Sequence, residues 1–163
     1  GNDSARLQKS LVKTRQIAVN VSAGYDPVSR GPGLFLIDAT PAPGKSVAVL
    51  EKAIHDEVVR IQSDGISEAE LARVKAQVIA ADVYQRDSLF YQAMQLGEYV
   101  TAGLPPEALA RRVDKLRAVT AKEVQAAAQQ WLQNDRLSVA ELEPQALKPQ
   151  ARRAAVPGVR HVN

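Results

Sequence analysis

Cysteine is absent from the 163 residues, and histidine occurs only as His55 and His161. The first absence excludes disulfides, thiolate zinc sites, iron–sulfur clusters and a cysteine nucleophile. The second leaves any imidazole site short of ligands. A zinc-peptidase helix of the H-x-x-E-H kind needs two histidines four positions apart, with a glutamate base. Here most of the chain separates the two. A serine–histidine pair would have to use one of the same histidines, and no nucleophile elbow is present. No apolar run approaches the about 20 residues that would span a bilayer. No basic start followed by an apolar core occurs, so no signal peptide is expected within these residues. Aromatic residues are only 4%, but hydrophobic residues reach 45% and charged residues 24%. That balance excludes a disordered or collagen-like chain and suits one domain with a real core.

The net charge of +3 is not spread over the chain. The stretch from Gln145 to Asn163 holds Lys148, Arg152, Arg153 and Arg160 and no acid, among prolines, a glycine and alanines. It reads as a basic, flexible tail, residues 145–163, after a domain of residues 1–144. Without the tail the remainder is near neutral, which argues against a nucleic-acid partner.

Asp3 and Ser4 can cap a short helix with Leu7, Leu11 and Val12 on one face. From Ile17 to Tyr25 apolar and polar residues alternate, the mark of a half-buried strand. Asp26-Pro27 and Gly31-Pro32 bracket a connection, and Leu34 to Thr40 forms a second strand, antiparallel to the first. Gly44 opens a helix striped by Val47, Leu50, Ile54, Val58 and Ile61. Asp56 and Arg60 sit four apart on its polar side, in the favourable order for an ion pair. Asp64-Gly65 stops it.

Ser67 and Glu70 make a capping box for the next helix. Its stripe is Leu71, Val74, Val78 and Ala81, then Leu89, Ala93, Leu96 and Val100. A straight helix over 67–101 would be about 50 Å long, longer than such a domain is wide, so a break is expected near Asp87-Ser88. Leu109, Val113 and Leu116 mark another helix. Thr120 and Glu123 form a second capping box ahead of Val124, Ala128 and Trp131. A short strand, Leu137 to Leu142, closes the series. Strands and helices are segregated, which predicts an α+β fold with helices on one face of a mainly antiparallel sheet. Three strands are few for this much helix, so the sheet is expected to lack N-terminal strands. Its bared edge invites pairing with another copy.

One loop imitates a phosphate site. Pro43-Gly44-Lys45-Ser46 lies between strand and helix, but the glycine the motif needs is Ala39. Pro41 and Pro43, between Ala39 and Gly44, also remove N–H donors. A rigid turn is the better reading.

Several short motifs resemble one family in order and spacing. They are Ser4-Ala5-Arg6-Leu7 with Leu11-Val12, and Asp64-Gly65-Ile66-Ser67 with Glu70-Leu71 and Lys75. Leu96-Gly97 follows, then Val119-Thr120, Glu123-Val124, Ala128 and Trp131-Leu132. From Leu7 to Pro144 the chain resembles the C-terminal, non-zinc-binding half-domain of the pitrilysin/insulinase zinc metallopeptidases, the group that includes mitochondrial processing peptidase. The resemblance implies a pair of homologous α+β half-domains enclosing a chamber where an extended peptide is cut. The partner half, fused or separate, would carry H-x-x-E-H and the zinc. This half would hold no metal and no catalytic residue. Many members place a substrate-binding arginine and tyrosine in a pattern like L-R-x-x-x-G-L-A-Y. The matching stretch is Leu11 to Val19, where Leu11, Ile17 and Ala18 fit. The arginine position is Val12, the glycine position Gln16 and the tyrosine position Val19. Arg15 and Lys13 are the remaining cationic candidates there.

Two functions are compatible with these residues. One is the non-catalytic half of a zinc metalloendopeptidase, closing the chamber and helping bind peptide, for which strand addition needs few side chains. The other is a catalytically dead scaffold of the same family. The resemblance to exported bacterial members points to the periplasm.

Overall fold

The computed structural model of the chain describes residues 5–145. The proposed Asp3-Ser4 cap, His161 and the basic tail beyond Gln145 lie outside these residues.

The described chain is mostly helical, with a two-stranded antiparallel sheet. A π-helical segment, Gln8–Thr14, leads into β1, Ala18–Gly24, which pairs with β2, Leu36–Pro41. Then come α1, Val47–Asp64; α2, Glu68–Gln85; α3, Leu89–Thr101; α4, Pro106–Ala110; α5, Arg112–Ala118; and α6, Ala121–Trp131. A 3-10 turn, Asn134–Arg136, follows.

The core lies where the π-helical segment, the sheet and α1 meet. Leu11, Ile17, Ala18, Leu50 and Ala53 are buried together, with Leu7, Val12, Ala39 and Ile54 packed around them. β2 alternates strictly, with Ile37, Ala39 and Pro41 half-buried and Leu36, Asp38 and Thr40 exposed. The segment's own side chain reinforces the junction, as Gln8 Nε2 donates to the Val21 carbonyl at 2.7 Å.

Helix boundaries follow capping chemistry. Ser46, not Gly44, opens α1: its hydroxyl accepts from the Val49 N–H at 3.3 Å. Gly44 instead supplies the positive φ of +76° that turns the chain before it. The Pro43–Ser46 loop is thus a rigid turn. Gly65 ends α1 with φ +71°. The expected break between α2 and α3 is present, and Ser88 caps α3 through the Tyr91 N–H at 3.2 Å. The Thr120–Glu123 box is complete in both directions.

Other expectations change. Ser67 accepts from the Glu70 N–H, but Glu70 does not reach back, because its carboxylate is taken by Arg6. Asp56 pairs backward with Lys52 at 3.0 Å, and Arg60 pairs with Glu57 at 3.0 Å, so the Asp56–Arg60 pair is replaced. The helix expected around Leu109–Leu116 is two short ones, α4 and α5. Leu137 to Leu142 joins no ladder among the described residues, although Leu137 and Val139 keep the alternation of a strand. Alternation marks a strand's two faces but does not supply a neighbouring edge, and here neither β1 nor β2 pairs with it.

Polar ties also join the helices away from the core. Asp82, buried on α2, is flanked by Arg86 at 2.7 Å and by Arg112 of α5. The ends of α1 and α6 cap one another. Gln62 Nε2 donates to the Ala128 and Leu132 carbonyls. In return Gln125 Nε2 donates to the Gln62 and Ser63 carbonyls, both at 3.0 Å. The Gln62, Ser63 and Leu132 carbonyls at the two helix C-termini thereby gain donors, and the Ala128 carbonyl, which also accepts the Leu132 N–H, gains a second.

The apolar stripes of α2 and α3 have the expected helical period but face outward. Val74 and Val78 on α2 are exposed, as are Leu89, Leu96 and Val100 on α3. The half-buried and buried face of α3 is instead Tyr91, Gln95 and Tyr99.

Candidate functional site

The stretch from Leu11 to Val19 is the least regular backbone near the core. It begins inside the π-helical segment, where the Arg15 N–H reaches back five residues to the Ser10 carbonyl at 2.9 Å. The Ile17 N–H then bonds the Leu11 carbonyl at 2.9 Å, closing a wider loop around Leu11, which is wholly buried. Between them, Gln16 has φ +49°, the only positive φ of a non-glycine among the described residues. A left-handed residue with a Cβ costs about 1–2 kcal/mol. Gln16 stands at the position matched above to a glycine, and its backbone adopts a conformation that glycine takes at no cost.

A bulge follows in β1. Ala18 pairs with Pro41 and Asn20 with Thr40, which leaves Val19 as the extra residue. The alternation predicted from Ile17 to Tyr25 therefore breaks at this point. Ala18 and Val21 are buried, while Val19 is 57% exposed. Val19 does not share the core face of Ile17 and Val21, as strict alternation implies.

The four candidate side chains are thus placed differently. Val12 is half-buried against the core cluster. Val19 stands at the bulge, open to solvent. Lys13 is exposed. Arg15 is exposed and close enough to Asp56 for its charge to matter. The Asp56 carboxyl is held below its usual range, chiefly by the Lys52 hydrogen bond, against some desolvation, with the charges of Lys52 and Arg15 adding to the effect.

The sequence reading missed a buried polar cluster beside this stretch. Glu57 on α1 is 2% exposed, within the stripe otherwise made by Leu50, Ala53, Ile54 and Val58. It accepts from Ser10 Oγ at 2.5 Å and from Arg60 Nη1 at 3.0 Å. The only signal was positional: Glu57 lies three and four residues from Ile54 and Ile61, on the apolar side of the helix.

Zinc does not fit these residues. His55 Nε2 is engaged with Asn134 Oδ1 at 3.2 Å, tying the 3-10 turn to α1. No group of three or more histidine, aspartate or glutamate side chains among the described residues could hold a metal ion. No helix among them is long and apolar enough to cross a membrane.

The family model described as the peptidase M16 inactive domain matches residues 1–78. No curated protein sequence matches the chain. Among solved structures, a protease from Helicobacter pylori superposes with a TM-score of 0.78 at 18% identity, over 83% of this chain and 32% of that one. The chain therefore spans about a third of that protease. A candidate zinc protease from Bordetella pertussis Tohama I gives 0.71 at 22% identity, over 83% of this chain and 73% of the other. The inactive peptidase domain of a candidate zinc protease from Bordetella parapertussis gives 0.74 at 21% identity, over 90% and 79%. At these identities the structural likeness establishes a shared fold.

Proposed function

We propose, from the match of the peptidase M16 inactive-domain model to residues 1–78 and from the shared fold, that this chain is an inactive half-domain of that family, the non-catalytic half of a zinc metalloendopeptidase. In this reading it closes a chamber and contributes to peptide binding. A homologous half, fused or separate, supplies the H-x-x-E-H zinc site, and the zinc belongs wholly to that half.

The observation that carries the reading is the outward apolar face of α2 and α3. Val74, Val78, Leu89, Leu96 and Val100 keep helical spacing yet stay uncovered. A stripe of that kind costs free energy in water, about 25 cal/mol per Å² of apolar surface. A second protein body covering it removes the cost. Peptide contact would come from the exposed edges of the β1–β2 pair, where main-chain hydrogen bonds carry affinity. Self-association through such an edge belongs to the same proposal, as does a periplasmic location.

The scaffold reading has one observation in its favour. Val12 and Val19 stand where the family pattern has a guanidinium and a phenol, and neither can donate a hydrogen bond.

One experiment separates the two. The upstream or adjacent coding sequence is read for H-x-x-E-H, and the encoded half is produced together with this chain. Peptidase activity that needs both halves and is abolished by a chelator supports the peptidase. A stable complex without activity, or a partner half lacking the zinc motif, supports the scaffold. Failure of the two halves to associate overturns both.

A further inference from the structure

The π-helical segment turns Leu11 and Val12 toward the core, where Leu7 just before it also packs. Its other side borders an open cleft of about 610 Å³ between α1 and the start of α2. Among the described residues lining the cleft, the cations are Arg6, Lys9, Arg60 and Arg73, the last engaged in a contact of its own, and the acids are Glu57 and Glu70. Both acids are engaged internally. Glu57, its side chain 3% exposed, receives Ser10 and Arg60. Glu70 receives Arg6 through two hydrogen bonds, at 3.2 Å and 2.7 Å.

These carboxylates therefore fix the directions of two guanidiniums. A guanidinium carries five N–H donors. Arg6 spends Nε and one Nη2 hydrogen on Glu70, and Arg60 spends one Nη1 hydrogen on Glu57. The remaining donors are held in place in advance, which lowers the ordering cost of a carboxylate docking there. Lys9 adds an exposed ammonium at the same cleft. The concentration is local, because the tail alone accounts for the chain's basic excess. The cleft is open rather than enclosed, which suits a length of polypeptide better than a small buried ligand.

We propose that this cleft docks an acidic polypeptide segment, with its carboxylates on the Arg6 and Arg60 guanidiniums and Lys9 steering its approach. The proposal does not depend on the peptidase reading, since the charges are the same with or without a zinc-bearing half.

The test is fluorescence anisotropy of a labelled hexaglutamate peptide with the full chain at low salt, and hexaglutamine as the neutral probe. Hexaglutamate is expected to bind saturably, about tenfold or more tightly than hexaglutamine, and to weaken as salt rises. Lys9→Glu, an exposed position, is expected to weaken binding about fivefold. Reversing an exposed cation on α6, Lys122→Glu, and reversing one of the four tail charges, Arg152→Glu, are each expected to change it by less than about twofold. Circular dichroism of each variant confirms that the fold is retained. Equal binding of the two peptides, or no saturable binding, overturns the proposal. So does a loss in Lys122→Glu or Arg152→Glu as large as that in Lys9→Glu, because attraction would then be diffuse or placed in the tail.

Discussion

Arg6 and Glu70 stand 64 positions apart and close a bidentate ion pair, Nε to Oε1 at 3.2 Å and Nη2 to Oε2 at 2.7 Å. Their side chains are 27% and 23% exposed. The pair joins the residues before the π-helical segment to the first turn of α2. It also joins two of the short motifs on which the family resemblance rests, Ala5-Arg6-Leu7 and Ser67-x-x-Glu70. Arg6→Ala is expected to destabilise the chain by about 1 kcal/mol, the upper end for a pair that water still reaches. Arg6→Lys is expected to recover little of that loss, since an ammonium cannot make the parallel fork. Urea denaturation of the two variants, of Glu70→Ala and of the Arg6→Ala/Glu70→Ala double mutant checks this. A double-mutant coupling near zero would remove the pair from the fold's support.

Gln16 is the second position where a residue and its conformation can be separated. Its φ of +49° penalises any side chain. Gln16→Gly is expected to stabilise the chain by about 0.5–1 kcal/mol, the left-handed penalty less the extra entropy of an unfolded glycine. Gln16→Val, branched at Cβ, is expected to destabilise it. Chemical denaturation gives both signs. A destabilising glycine would mean that the Gln16 side chain contributes more than its backbone costs.

Acid should weaken the start of α6. The Glu123 carboxyl is held below its ordinary value of 4.5, first by the Thr120 N–H and then by the Thr120 hydroxyl, with burial opposing and the charge of Lys75 adding to the lowering. A carboxyl whose folded value lies below its unfolded one stabilises the fold at pH above the unfolded value. That contribution is lost as pH falls through the folded value. The stability difference between the chain and Glu123→Gln is therefore expected to be present at neutral pH and to shrink below about 4.5. Thermal unfolding across that pH series measures it. A difference that stays constant would show that Glu123 acts without its charge.

These residues also mark what a sequence can disclose. The Thr120–Glu123 box was legible because it is set by side chains three positions apart, and the break near Ser88 because a single straight helix over 67–101 would be too long for the domain. The pairing of β1 with β2 was legible from alternation and turn residues. Glu57 was not, because its burial depends on Ser10, 47 positions away, and on Arg60 together. Neither was the posture of Gln16, whose side chain carries no left-handed signal. The outward face of α2 and α3 was half legible: the period was correct, but a period names a face without saying what covers it. Leu137 and Val139 teach the same for strands. Of the candidate site, the stretch could be located from the motif, but the bulge that turns Val19 outward arises from the pairing with β2.

That bulge decides the last prediction, on Val12 and Val19. Were both positions core, Val19→Tyr would overpack and Val12→Arg would bury a charge, and both variants would unfold early. Were both on an open wall, both would be tolerated. The structure implies an asymmetry instead. Val19, 57% exposed at an unpaired strand position, has room for a phenol, so Val19→Tyr is expected to change stability by less than about 0.5 kcal/mol. Val12 packs against Leu11, Ile17, Ala18, Leu50 and Ala53 while half open to water. Val12→Arg loses apolar contact there, but its long stem lets the guanidinium reach solvent, so a loss of about 1–2 kcal/mol is expected. Thermal unfolding of the single variants measures both. Equal, large losses would place Val19 in the core and remove it from the family's tyrosine position. If Val12→Arg is as harmless as Val19→Tyr, the two side chains share an accessible surface. Their joint installation beside a zinc-bearing half then becomes the direct test of whether peptide binding survived their loss.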